Sequence, residues 1–165
     1  MGANAYILDT NVFIEAARRY YAFDIAPPFW ESLIHHAANG RIQSVDHVRK
    51  ELERGKDDLA IWATTDFSDA FASTDQDDVI ESYSKVMSWV QAQDQFSDAA
   101  KADFAVGADG WLVAYARSKA GIVVTHEVLD PSIKRKVPIP NVCEAFGVSF
   151  CDTFEMLRQL GVRFS

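Results

Sequence analysis

The sequence predicts an α/β protein: a three-layer α/β/α sandwich around a mostly parallel central sheet, in a single domain spanning 1–165. Three observations carry this. Short apolar runs at Tyr6 to Leu8 and Ile122 to Val124 are bounded by polar residues, as strands buried on both faces are. Segments of helical spacing separate them, and strands alternating with helices imply a parallel sheet covered on both sides. Each run is closely followed by a carboxylate, Asp9 and Glu127, at the strand end where open α/β sheets place their ligands.

The elements follow in order. After the first strand, Thr10 and Asn11 can begin a helix, since such side chains satisfy orphan backbone N–H groups. Val12, Phe13, Ala16 and Ala17 continue it to Arg19 with helical spacing. Pro27-Pro28 breaks the chain and opens a helix, with Phe29, Leu33, Ile34 and Ala37 on one face, ended by Gly40. A second short strand fits Ile42 to Val45, and Ser44 or Asp46 can cap a helix from Val48 to Gly55. From Asp57 to Ala105 the pattern is mostly helical, with its longest amphipathic run from Val79 to Val90 behind Asp75-Gln76-Asp77-Asp78. Acidic groups favour such a helix start. A helix rich in small and apolar residues begins at Asp109 and is closed by Gly121. Ile122 to Thr125 is the clearest second buried strand, followed by prolines, an edge strand at Val148 to Cys151, and a helix from Thr153 to Leu160 capped by Asp152 and ended by Gly161.

Composition narrows the function classes. A chain of 165 residues that is 48% hydrophobic buries a real core. Its formal charge of -8 argues against coating nucleic acid by bulk charge, yet agrees with clustered carboxylates neutralised by divalent cations. Cys143 and Cys151, the only cysteines, lack zinc-site spacing and disulfide density, so both are expected as buried thiols in a reducing compartment. No cationic leader opens the sequence and no apolar run is long enough for a bilayer. The expectation is a soluble cytoplasmic protein without a membrane partner.

Four acids define the candidate site. The carboxyl ends of parallel strands share one edge, so Asp9 and Glu127 converge there, with Asp109 entering from a helix start and Glu51 from a helix side. Each has a plainer reading. Asp9 can be a cap or turn residue, and Glu51 a solvated residue near Lys50 or Arg54. Four unneutralised carboxylates in one cleft repel one another and call for protonation or a cation. Oxygen-only ligands suit Mg2+ or Mn2+, ions that activate water and stabilise the leaving oxygen in phosphodiester hydrolysis.

On these residues the chain resembles the PIN domain family of metal-dependent ribonucleases, of the VapC type. The matching stretches are Ile7-Leu8-Asp9-Thr10-Asn11-Val12, Val48-Arg49-Lys50-Glu51-Leu52, Asp109 with Leu112-Val113 and Ala116, and Val123-Val124-Thr125-His126-Glu127. They cover nearly the whole chain in the family's order. The tail Ile139-Pro140-Asn141-Val142-Cys143 and the long helical middle look like a PIN-like branch catalogued as a domain of unknown function. The family's last motif usually carries Asp where this chain has Glu127, a side chain one methylene longer that still ligates a hard cation.

The resemblance implies an endoribonuclease with Asp9, Glu51, Asp109 and Glu127 as catalytic metal ligands for Mg2+ or Mn2+. Thr10, Asn11 and Thr125 would orient those carboxylates. It also implies an RNA substrate and a cognate antitoxin holding a toxin inactive, while the sequence leaves open whether a second copy of the chain joins it in a homodimer. Lys134, Arg135 and Lys136 follow the Glu127 motif closely and form an expected basic rim for RNA phosphates. Two other function classes stay open: a non-catalytic PIN-like binding or scaffold module, and a phosphoesterase acting on DNA or a small molecule.

Overall fold

The computed structural model describes residues 4–164. Five parallel strands form its centre: β1 (Tyr6–Leu8), β2 (Ile42–Val45), β3 (Phe71–Ala72), β4 (Ile122–Val124) and β5 (Phe150–Cys151), in the order β3-β2-β1-β4-β5. In register, Tyr6 faces Ile42 on one side and Ile122 on the other, and Leu8 faces Val124. Ile7 and Leu8 are consecutive, so their side chains point to opposite faces, and both are fully buried. Both faces are therefore covered, as the continuous apolar run requires.

Nine α-helices occupy the described residues: α1 (Thr10–Glu15), α2 (Pro27–Ala38), α3 (Asp46–Glu53), α4 (Asp58–Thr64), α5 (Asp77–Ala92), α6 (Asp98–Val106), α7 (Asp109–Lys119), α8 (Ile139–Phe146) and α9 (Thr153–Gln159). Helix α7 packs across β1, β2 and β4 and is backed by α5 and α8, while α2 packs on β2. Phe13, Trp62, Phe67 and Phe71 form an aromatic core, with Phe13 and Phe67 centroids 5.6 Å apart. Burying such rings is the largest apolar contribution any side chains make.

Several local expectations are corrected. The first helix ends at Glu15 and continues as a π-helical turn, Ala16–Tyr20. Strand β3 and the 3-10 turn Ser68–Ala70 before it interrupt the stretch read as mostly helical. Helix α8, which the sequence did not reveal, accommodates Pro140 in its first turn, where the missing N–H has no intrahelical partner to lose. The helix from Asp46 has no side-chain cap: Ser44 Oγ donates instead to Leu8 O at 2.6 Å, and Asp46 accepts from Thr74. At the end of α7 the left-handed turn falls on Ala120 (φ 55), not on Gly121. Gly121 is required for space: a Cβ there would stand 2.7 Å from Ile7 Cγ1.

Candidate active site

Strand β1 lies between β2 and β4, so the chain connections diverge on either side of it. That is the switch point where open α/β sheets form a crevice. Asp9 occupies this point. Its N–H donates to Val124 O at 3.0 Å, and its side chain is 2% exposed. Although Asp9 stands at the N-cap position of α1, its carboxylate makes no capping bond. Asp9 Oδ2 accepts from Thr125 Oγ1 at 3.2 Å, and the same hydroxyl accepts from Glu127 N at 3.1 Å. Thr125 thus links the Asp9 carboxylate to the backbone of Glu127.

Glu51 is not a solvated helix residue. Its Oε1 accepts from Thr10 Oγ1 at 2.6 Å and its Oε2 from Ala108 N at 3.2 Å. One carboxylate therefore joins the start of α1 to the start of α7. Asp109 is the first residue of α7, whose N-cap is Ala108. The helices carrying Glu51 and Asp109 are braced by stacked rings, with Trp111 4.9 Å from His47 and 3.7 Å from Tyr83. Tyr83 and Trp111 were not legible as a brace, because aromatic residues at helical spacing look alike whether they line a core or clamp two helices.

The electrostatics show that these acids share one cleft. Burial, then the charges of Asp109 and Glu127, push the Asp9 carboxyl well above its ordinary range. Burial, then Glu127 and Glu51, push Asp109 up to about 7, opposed by Lys136. Desolvation and like charges both disfavour ionisation, so the metal-free cleft holds protons that isolated carboxyls would release.

Glu127 differs from the other three. Its Oε1 accepts from Ile139 N at 2.8 Å and its Oε2 from Lys136 Nζ at 2.9 Å. Lys136 is therefore not a free rim cation, as the sequence suggested, but a partner of the acids. Burial works against its charge, yet the hydrogen bond to Glu127 and the charges of Glu127, Asp109 and Asp9 raise its pKa. Lys134 and Arg135 are exposed, and Arg135 lines a cavity of about 310 Å³ with Asp109, Asp103, Phe104 and Lys136. Asn11 is exposed, and no side-chain hydrogen bond links it to the four acids, which corrects its expected orienting role. His126 packs against Tyr20 and Phe154 and lies 3.0 Å from Thr153 Oγ1.

Among the described residues no three His, Cys, Asp or Glu side chains stand ready-formed around one ion. The donor chemistry nevertheless fits a hard divalent cation. Every candidate ligand is a carboxylate oxygen, and Asp9 and Asp109 carry a mutual repulsion that a cation would relieve. Cys143 and Cys151 are free and buried, their thiols pushed up to about 12, chiefly by burial, so neither offers a thiolate.

The chain belongs to a family described as a domain of unknown function (DUF4411), whose model matches residues 6–164. Its fold is PIN-like and is shared with two solved bacterial structures. One is VapBC2 from Rickettsia felis bound to a DNA fragment from their promoter: TM-score 0.53, 14% identity, covering 90% of this chain and 98% of that one. The other is FitAcB from Neisseria gonorrhoeae: TM-score 0.52, 19% identity, covering 88% of this chain and 95% of that one. At these identities the likeness establishes the fold. No curated protein matches the chain. Among the described residues no helix is long and apolar enough to cross a membrane.

Proposed function

We propose that this protein is a divalent-metal-dependent endoribonuclease and the toxin of a toxin–antitoxin pair. The observation that supports the reading is the grouping of Asp9, Asp109, Glu51 and Glu127 near the switch point of the sheet, where burial and neighbouring charges raise the carboxyls of Asp9 and Asp109. Two structures of the same fold, VapBC2 and FitAcB, are named as assemblies. That supports the toxin–antitoxin part by analogy of fold. An antitoxin is the partner this reading implies, and a second copy of the chain is a further candidate.

In this scheme Asp9, Glu51 and Asp109 hold Mg2+ or Mn2+, with Glu127 as a further ligand. The bound ion would supply Lewis acidity and a water nucleophile at neutral pH. The chain's own groups do the rest. Thr10 and Thr125 fix the carboxylates of Glu51 and Asp9 through their hydroxyls, which limits the reorganisation needed during reaction. Arg135, exposed at the cavity beside Asp109, is placed to bind a substrate phosphate. A phosphate contact of this kind sets affinity without reading sequence.

One observation favours a second reading. Glu51 and Glu127 each have both oxygens hydrogen-bonded within the protein, as they would in a non-catalytic binding module. Incubating purified protein with mixed single-stranded RNA and DNA in Mg2+, Mn2+ or EDTA separates the two. Metal-dependent cleavage of RNA alone is the expected result. Cleavage of DNA would move the assignment to a DNA phosphoesterase, and no cleavage with any added metal would favour the binding module.

A further inference from the structure

Lys136 sits on a strap that the fold fixes at several points. Between β4 and α8 the chain is clamped at its base, where Asp130 N donates to Asn141 Oδ1 at 3.0 Å and Asn141 Nδ2 to Asp130 O at 2.8 Å. Its middle is tied to the segment before α6: Gln95 Nε2 donates to Ile133 O at 2.8 Å, and Ser97 N to Lys134 O at 2.8 Å. Its end is buried through Val137 and Ile139, and Ile139 N donates to Glu127 Oε1. These anchors fix where the backbone of Lys136 stands. The Lys136 ammonium projects onto Glu127, with Asp109 and Asp9 as its other charged neighbours.

We propose that Lys136 is a built-in counter-cation: it holds the acidic cleft together when no divalent ion is bound, and it competes with that ion for Glu127. The inference rests on the metal-site reading given above and assigns Lys136, which is paired with Glu127, a role apart from Lys134 and Arg135. Its physical basis is simple. A cleft of like charges must be neutralised by protons, by a metal or by a tethered cation, and here the third device is already in place. A tethered ammonium loses less freedom on pairing than a mobile ion does. When a divalent ion enters, two cations face one carboxylate, and their repulsion weakens binding of the metal. Displaced from Glu127, the half-exposed ammonium is free to turn to the adjoining cavity, where Arg135 already stands.

The test compares the intact chain with Lys136→Met and Lys136→Arg, without RNA, by calorimetric titration with MnCl2 and by thermal melting in EDTA. Lys136→Met is expected to melt at a lower temperature in EDTA and to bind Mn2+ about tenfold more tightly, the order expected for removing one partly screened neighbouring charge. Lys136→Arg, which keeps the charge, is expected to stay near the parent in both. If Lys136→Met does not fold, Lys136→Gln provides the same loss of charge. Mn2+ binding in the parent that Lys136→Met leaves unchanged or weakens overturns the competition while sparing the metal site. Absence of Mn2+ binding in parent and variant alike overturns both. An unchanged melting temperature in EDTA overturns the counter-cation.

Discussion

Two sets of acids begin helices in this molecule, and they are used differently. At α4 and α9, Asp57 Oδ1 accepts from Ala60 N at 3.0 Å and Asp152 Oδ1 from Glu155 N at 2.8 Å. These are ordinary caps on exposed helix starts. At α1, Asp9 stands at the N-cap but makes no capping bond, and at α7 the N-cap is Ala108, with Asp109 the first helical residue. Burial, and then the charges of neighbouring acids, raise the pKa values of both. Residue type does not distinguish the sets. Position in the sheet does, because α1 and α7 start beside the switch point between β1 and β4.

The sharpest way to break this contrast is to neutralise one member of each set. Asp9→Asn is expected to lower metal-dependent RNA cleavage by about a hundredfold or more, whereas Asp152→Asn is expected to leave it unchanged. A nuclease assay on both purified variants decides the matter, and parental cleavage by Asp9→Asn would end the assignment.

A second prediction concerns pH. The Asp109 carboxyl is raised from an ordinary 3.8 to about 7, so its contribution to stability is complete below about 3.8 and is lost as pH rises through about 7. In EDTA, the parent should therefore lose stability relative to Asp109→Asn across that interval, by on the order of a few kcal/mol at most. Urea unfolding at several pH values measures the gap. A constant gap would mean that Asp109 is not in a repulsive cleft.

The caps should respond in the opposite manner. Asp57→Ala or Asp152→Ala is expected to cost about 1 kcal/mol of stability, independently of Mn2+, with cleavage intact. Stability loss without the metal link is the signature of a structural acid. The smallest effect lies at the far end of α7. Ala120 holds a left-handed conformation (φ 55), so Ala120→Gly is expected to stabilise by about 0.5–1 kcal/mol, read as a rise in the melting temperature. Any loss would show that the Ala120 methyl packs usefully.

Much of this was legible in the sequence because burial on both faces leaves a continuous apolar run. β1 and β4 have such runs, and both the Asp9 and Glu127 positions followed from them. β3 was not legible, since two residues, Phe71 and Ala72, carry no periodicity. Helix α8 was hidden by prolines tolerated only because they lie at its start. The link from Glu51 to Thr10 and Ala108 joins residues 41 and 57 positions apart, which no local pattern encodes. The same holds for Lys136: its place in a basic run made it look like a free rim residue, and its ion pair with Glu127, nine positions away, is not encoded by any local pattern. Asn11 shows the converse, a residue whose place in the motif suggested an orienting role that its exposed position does not fulfil.

The central claim is that Asp9 and Asp109 are held for a cation at a cost in burial and repulsion. Thermal melting of the parent, Asp9→Asn and Asp152→Asn, each in EDTA and in Mn2+, tests it most directly, because a ion that binds only the folded state raises its stability. The parent and Asp152→Asn are expected to melt higher in Mn2+ than in EDTA. Asp9→Asn should melt higher than the parent in EDTA, its repulsion relieved, and gain little from Mn2+. A parent indifferent to Mn2+, or an Asp9→Asn variant that gains from it as the parent does, would contradict the claim.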